Sequence, residues 1–291
     1  MTPDTDTPCT LGTLLAELVT ELEGAGVVLA RDEARDIVAA VLDVPRFWPT
    51  TNREALVDAT AVDEARHAAA ARARGAPFAY AVGRAAFRHL TLAVDERVLI
   101  PRQETEVLVD LVLQALDGGR GTLADIGTGS GALALALATE GQFDRVVATD
   151  VSLDALAVAE RNAAFLRDDL RAPVDFAHGS LLAPLAGVRL QAVVSNPPYI
   201  AFGELEELPA SVRNWEPPLA LLSADEGLAA TRAIIRGAPT LLEPGGLLAL
   251  EVDTRRASLV AEAVATDGAY RDVAVHLDLT GRERFVLALR R

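Results

Sequence analysis

Asn196-Pro197-Pro198-Tyr199 follows an apolar run, "LQAVVS", that reads as a buried strand ending at Ser195. Proline has no N–H for a sheet ladder, so two prolines stop such a strand. What remains at the strand end is one amide side chain, a stiff bend and an aromatic ring. Asn196 Oδ1 can accept one hydrogen of a planar NH2 group, and the Pro197 carbonyl can accept the other. The Tyr199 ring can cover a flat amide or base. The four residues together can grip an NH2 group and leave its nitrogen open on one side. A proline-rich turn with a capping Asn would use the same residues, so position in the fold must decide.

A second motif lies upstream. "DIGTGSG", Asp125 to Gly131, sits between an apolar run and the helical pattern "ALALALATE". Gly127, Gly129 and Gly131 permit tight backbone, with Thr128 and Ser130 between them, and a helix N-terminus faces any ligand there. The spacing is G-x-G-x-G rather than the dinucleotide G-x-G-x-x-G. A plain sharp turn could also use these glycines. "VVATD" ends at Asp150, 19 residues beyond Gly131, where a carboxylate can accept both hydroxyls of a ribose. No basic group near it would match an extra ribose phosphate. NAD and S-adenosylmethionine (SAM) both fit. With SAM, the gripped nitrogen is a methyl acceptor.

These residues need a scaffold that brings strand ends together. From Thr122 onward strands and helices alternate: "TLADIG", "RVVATD", "VDFAH", "LQAVVSN" and "GGLLALEV" are strands, with helical patterns between most of them. Such alternation means a parallel sheet covered on both faces. The last two strands, "YRDVAVHLDL" and "ERFVLALRR", are joined only by "TGR", so they form an antiparallel hairpin. The expected fold class is therefore α/β. It has a seven-stranded sheet of the Rossmann-like SAM-methyltransferase type, the terminal hairpin favouring that version by analogy. Upstream, Leu11, Leu14, Leu15, Leu18 and Leu22 mark one helix face, Ala34, Ile37, Val38 and Val41 a second, and residues 62–74 an alanine-rich third. No strand pattern precedes Phe78. "FRHLTLAVDERVLI" then reads as a β-hairpin leading to a helix from Glu104. The expected organisation is a helical domain over 1–80, a hairpin linker over 81–100 and the α/β domain over 101–291.

Composition narrows the partners. The chain has 291 residues, a net charge of −15 and 51% hydrophobic residues. All 27 basic residues are arginine. Long-range repulsion weighs against a bare phosphate backbone as partner. The longest apolar runs are too short to cross a bilayer. "MTPDTDTPCT" lacks a basic start and an apolar core, so no secretory signal is expected. Cys9 is the only cysteine, which leaves no internal disulfide, and the cytoplasm is the expected location. The four histidines are scattered without metal-ligand spacing, so no metal is expected.

Taken together, "GRAAFRHLTLAVDERVLIPRQETEVLVD", "DIGTGSGALALALA", "VVSNPPYI", "WEPPLALLSADEGLAATRAII" and "GRERF" resemble, in order and along nearly the whole chain, the bacterial peptide chain release factor N5-glutamine methyltransferases, the PrmC/HemK family. NPPY also occurs in DNA and RNA amine methyltransferases; "LIPRQETE" and "EPPLAL" make the match specific. The resemblance implies SAM as cofactor, with its methionine part held by Gly127, Thr128, Gly129, Ser130 and Gly131 and its ribose by Asp150. It implies that Asn196, Pro197, Pro198 and Tyr199 hold the target glutamine, Asn196 and Pro197 acting on its NH2 and Asn196 also reaching the cofactor. The partner implied is a class I release factor, methylated in its Gly-Gly-Gln motif by a monomer without direct nucleic-acid contact. After the third strand the family commonly has an acid and an aromatic; here Ser180 and Leu181 stand there, and Leu181 can still pack on adenine. "PRQET" has Gln103 where proline is usual. Arg102, Glu104 and Glu106 can line the cofactor mouth or simply form a solvated helix start. Methylation of a ribosomal protein glutamine, adenine N6-methylation of nucleic acid, and SAM binding without catalysis are the other readings.

Overall fold

The structure is a computed structural model, and it describes residues 9–291. The first eight residues of the expected 1–80 domain, and most of the segment read for a secretory start, lie outside the described residues. The chain divides into two units: residues up to Gly83 with Ala210–Trp215, and Arg84–Pro209 with Glu216–Arg291.

The first unit is mainly helical. Its longest helices are Leu11–Gly24, Ala30–Leu42 and Ala59–Ala73. Thr10 and Asp58 cap two of them, accepting from Thr13 N at 3.2 Å and Ala61 N at 2.9 Å. Leu11, Leu14, Leu18 and Leu22 recur at helical spacing and pack on Ala34, Ile37, Ala65 and Ala69. The alanines let the helix backbones approach closely. One expectation fails here: β1 (Cys9–Thr10) pairs antiparallel with β2 (Leu56–Val57). Two-residue strands are too short to show any period, so the sequence could not announce them.

The second unit starts with β3 (Arg84–Phe87) and β4 (Leu90–Ala93), an antiparallel hairpin. Arg88 turns it with φ 53°, held by its own N–H on Glu106 Oε1 at 3.0 Å. The hairpin packs on the core of the α/β unit. Phe87, Leu90 and Leu92 are buried in one cluster with Leu108, Val112 and Leu133 of the α/β unit. Burying one such side chain contributes roughly 1.5–3 kcal/mol, which holds the hairpin to that core.

The sheet contains β5 (Thr122–Ile126), β6 (Arg145–Asp150), β7 (Val174–His178), β8 (Leu190–Ser195), β9 (Leu242–Glu251), β10 (Tyr270–Leu277) and β11 (Glu283–Arg290), in the order β10-β11-β9-β8-β5-β6-β7. The contacts among β5 to β9 are parallel, and β11 runs antiparallel to both β9 and β10, as the short terminal link requires. Successive residues of the central strands feed opposite faces: Ala192, Val194, Leu247 and Ala249 join one core cluster, Val193, Leu248 and Leu250 the other. Between β8 and β9 a helix begins at Ala229. The helix ends at Gly237, a tight turn covers Ala238–Thr240, and β9 begins at Leu242. Pro239 has no N–H to continue the helix.

β5 lies between β6 and β8. The strand order reverses at this point, since the chain leaves β5 toward β6 and later returns to β8 on the other side. A crevice opens outside the strand ends at such a reversal. Among the described residues no helix is long and apolar enough to cross a membrane.

Candidate active site

The two chemical motifs follow adjacent strands. Gly127, Gly129 and Gly131 follow β5 with φ of 74°, 56° and 85°, values that favour glycine. At Gly131 an added Cβ would come within 3.0 Å of Leu135 Cδ1 and 3.3 Å of Ala159 Cβ, so helix packing also demands glycine. At Gly127 and Gly129 an added Cβ would meet no protein atom within 4 Å. Both of these glycines line a cavity of about 360 Å³.

Thr128 and Ser130 do not line it. Both are buried. Thr128 Oγ1 donates to Asp125 Oδ2 at 2.7 Å, and the Ser130 carbonyl accepts from Asn162 Nδ2 at 2.9 Å. They brace the turn from behind while the glycines face the cavity. Asp125, which the sequence reading left without a role, anchors the turn: Oδ2 also accepts from Ala134 N at 3.2 Å. Burial pushes its carboxyl up to about 7 against those two hydrogen bonds, and Asp150 pushes the same way. An acid at a strand end just before a glycine turn was the signal available for it.

Asp150 ends β6 and lines the cavity. Its Oδ2 accepts from Gly129 N at 2.9 Å and its Oδ1 from Ser152 N at 2.9 Å. Each oxygen keeps a further lone pair for a hydroxyl. Ser180 and Leu181 line the cavity after β7, Leu181 with φ 48° and its carbonyl accepting from Thr149 Oγ1 at 3.2 Å.

At the end of β8, Ser195 Oγ donates to the Ile126 carbonyl at 2.6 Å and ties the two central strands together. Asn196 and Pro198 line the cavity; Pro197 is buried and Tyr199 half-buried, and neither lines it. Asn196 Nδ2 donates to Thr105 Oγ1 at 3.1 Å, which leaves Oδ1 without a protein donor among the described residues. Burial, with the Glu251 charge, holds the Tyr199 hydroxyl above its ordinary range, so it stays protonated. Ile200 N donates to the Leu221 carbonyl at 2.9 Å, and Ser223 N to the Ile200 carbonyl at 2.9 Å. This pairing brings Pro217, Leu219, Leu222 and Ser223 to the cavity wall, opposite in sequence to Arg97–Leu99 from the stretch after the hairpin. Neither stretch has a period that marks a site. Arg102 points elsewhere, its guanidinium bound to the buried Glu216 at 2.6 Å, and Glu106 holds the hairpin turn.

Residues 103–209 match the family described as "Methyltransferase small domain", and residues 13–83 the "PrmC N-terminal domain". The release factor glutamine methyltransferase of Moorella thermoacetica is 44% identical over 97% of this chain and 99% of its own. That of Xylella fastidiosa (strain Temecula1) is 40% identical over 88% and 92%. A methyltransferase structure from Pyrococcus furiosus shares the fold, with a TM-score of 0.52 at 17% identity over 70% of this chain and 90% of that one. Glycine turn, the acid at the end of β6 and the NPPY strand end thus sit on a methyltransferase fold in a chain matched nearly end to end, and the chain belongs to the release factor glutamine methyltransferase family.

Proposed function

We propose that this chain transfers the methyl group of SAM to the side-chain N5 of the glutamine in the Gly-Gly-Gln motif of a class I release factor. The observation that carries the reading is the Asn196 amide. Its Nδ2 donates to Thr105 and its Oδ1 has no protein donor among the described residues, directly after the strand that pairs with the one leading into the glycine turn.

The cavity fits SAM in chemistry. The open space at Gly127 and Gly129 admits a ligand against backbone, and Asp150 keeps acceptor capacity for ribose hydroxyls. Leu181 and the apolar wall from Leu219 and Leu222 suit a flat base. SAM, when bound, supplies an electrophilic methyl on a sulfonium. An amide nitrogen is a poor nucleophile because its lone pair is delocalised. Asn196 Oδ1 and the Pro197 carbonyl would accept its two hydrogens, drawing density onto nitrogen and fixing its direction. That is positioning plus electrostatic stabilisation. The N-methylated amide is strongly acidic before it loses its proton, so water suffices to take it.

The helical unit, which matches the PrmC N-terminal domain, would read the release factor, in a cytoplasmic monomer. The net charge of −15 favours a protein over a polyanion. The test is competition for labelled SAM at low salt among a release factor, its Gln→Asn variant, a ribosomal protein and duplex DNA. Label on the release factor glutamine is expected, with almost none on the Asn variant, because ~1 Å of misplacement can cost about 10²-fold. Label in DNA, in the ribosomal protein, or equally in both loop variants would overturn the reading.

A further inference from the structure

The hydrogen-bond line at Asn196 continues away from the cavity. Thr105 Oγ1, which accepts from Asn196 Nδ2 at 3.1 Å, donates to Glu251 Oε2 at 2.6 Å. Thr105 is 5% exposed and Glu251 1% exposed, so bulk water does not stand in for either partner. A hydroxyl has one hydrogen to give, and an ionised carboxylate can only accept. With Glu251 ionised, the Thr105 hydrogen is committed to it. Thr105 Oγ1 can then only accept from Asn196, so the Asn196 NH2 must face Thr105 and its Oδ1 must face the other way. A turned-over Asn196 would set its NH2 against the NH2 of an amide substrate, donor against donor.

We propose, resting on the reading of Asn196 as acceptor for the substrate amide, that Thr105 and Glu251 are positioning residues for methyl transfer, locking the Asn196 side chain in the orientation that offers Oδ1 to the substrate NH2. The helix Gln103–Leu116 supplies Thr105 in its first turn, and β9 supplies Glu251 as its last residue. The lock is therefore assembled from three parts of the chain, with Asn196 91 residues from Thr105.

The lock depends on the charge of Glu251. Burial lifts this carboxyl to about 7; the Thr105 hydrogen bond, Arg284 and Arg102 pull it down, and Glu104 pushes it up. Tyr199 also faces it, and stays neutral. Once protonated, Glu251 can itself donate to Thr105. The Thr105 hydrogen is then free to point at Asn196, and the amide can turn over. Turnover should therefore be high above pH 7 and fall as the pH drops through the range where Glu251 takes up a proton.

The experiment is steady-state methylation of a release factor across pH 5.5–9 by the full chain and its Thr105→Val, Thr105→Ser and Glu251→Gln variants, with SAM affinity measured by calorimetry. Thr105→Val should lower kcat roughly tenfold or more while SAM affinity stays within about twofold, since only the orientation of the acceptor is lost. Thr105→Ser, which keeps the hydroxyl, should restore most of kcat. Glu251→Gln leaves Thr105 in place and should remove the acid limb near pH 7. Thr105→Val with undiminished kcat, Thr105→Ser as poor as Thr105→Val, or an unchanged acid limb in Glu251→Gln would each overturn the lock alone. No label on glutamine with the unmodified chain would overturn the functional reading and the lock with it.

Discussion

The Gly129 N–H donates to the Asp150 carboxylate at 2.9 Å, so the glycine turn after β5 and the acid at the end of β6 form one hydrogen-bonded unit. The same carboxylate accepts from Ser152 N at 2.9 Å, which fixes the start of the following helix. Asp150 thus has two tasks, holding the turn and facing the cavity.

Asp150→Ala should weaken SAM binding by more than tenfold. Each charge-assisted hydrogen bond to a ribose hydroxyl is worth ~1.5–3 kcal/mol, and loss of the Gly129 contact loosens the turn as well. Calorimetry decides this, and unchanged affinity would take Asp150 out of the site.

Asn196→Ala should leave SAM affinity within a few fold and abolish most turnover. The side chain would act on the reacting group, so the loss belongs in kcat. A variant within about threefold of the unmodified chain, a gap well under ~1.4 kcal/mol, would contradict the two-acceptor mechanism.

Gly227→Ala should destabilise the chain by about 1–3 kcal/mol and lower kcat. Gly227 has φ 83°, and an added Cβ would land on the Tyr199 carbonyl. Asp225 and Glu226 before it also have positive φ, 56° and 54°, so the segment has little freedom to move aside. Chemical denaturation and steady-state rates measure both effects; a Gly227→Ala chain of full stability would contradict the contact.

Asp125→Asn should flatten the pH dependence of stability. The Asp125 carboxyl moves from an ordinary 3.8 to about 7 on folding. The folded chain therefore holds a proton that the unfolded chain releases between those values. Its contribution is complete below pH 3.8 and is lost as pH rises to 7. At pH 8 the variant should be the more stable by the order of a few kcal/mol, and near pH 4 the two should converge. Denaturation midpoints at pH 4 and 8 test the sign, and a gap that widened toward acid would refute it.

By itself the sequence determined the elements and the chemistry of their ends. The β5 and β8 runs, the glycines at 127, 129 and 131 and the prolines at 197 and 198 are local signals. Backbone sterics and the missing proline N–H act within a few residues, so they can be read without the fold. The terminal hairpin was legible for the same reason, since a short link permits only antiparallel pairing. The tertiary structure alone decided that β5 and β8 are neighbours, which puts the glycine turn beside Asn196. It also decided which turn residues face the cavity, sending Thr128 and Ser130 inward and leaving Gly127 and Gly129 at the wall. Thr105 and Glu251 carried no signal, because their roles depend on a hydrogen bond between residues 146 apart. Burial then raised the Asp125 and Glu251 carboxyls. Desolvation belongs to the packed core, and no residue carries it until the chain has folded around it.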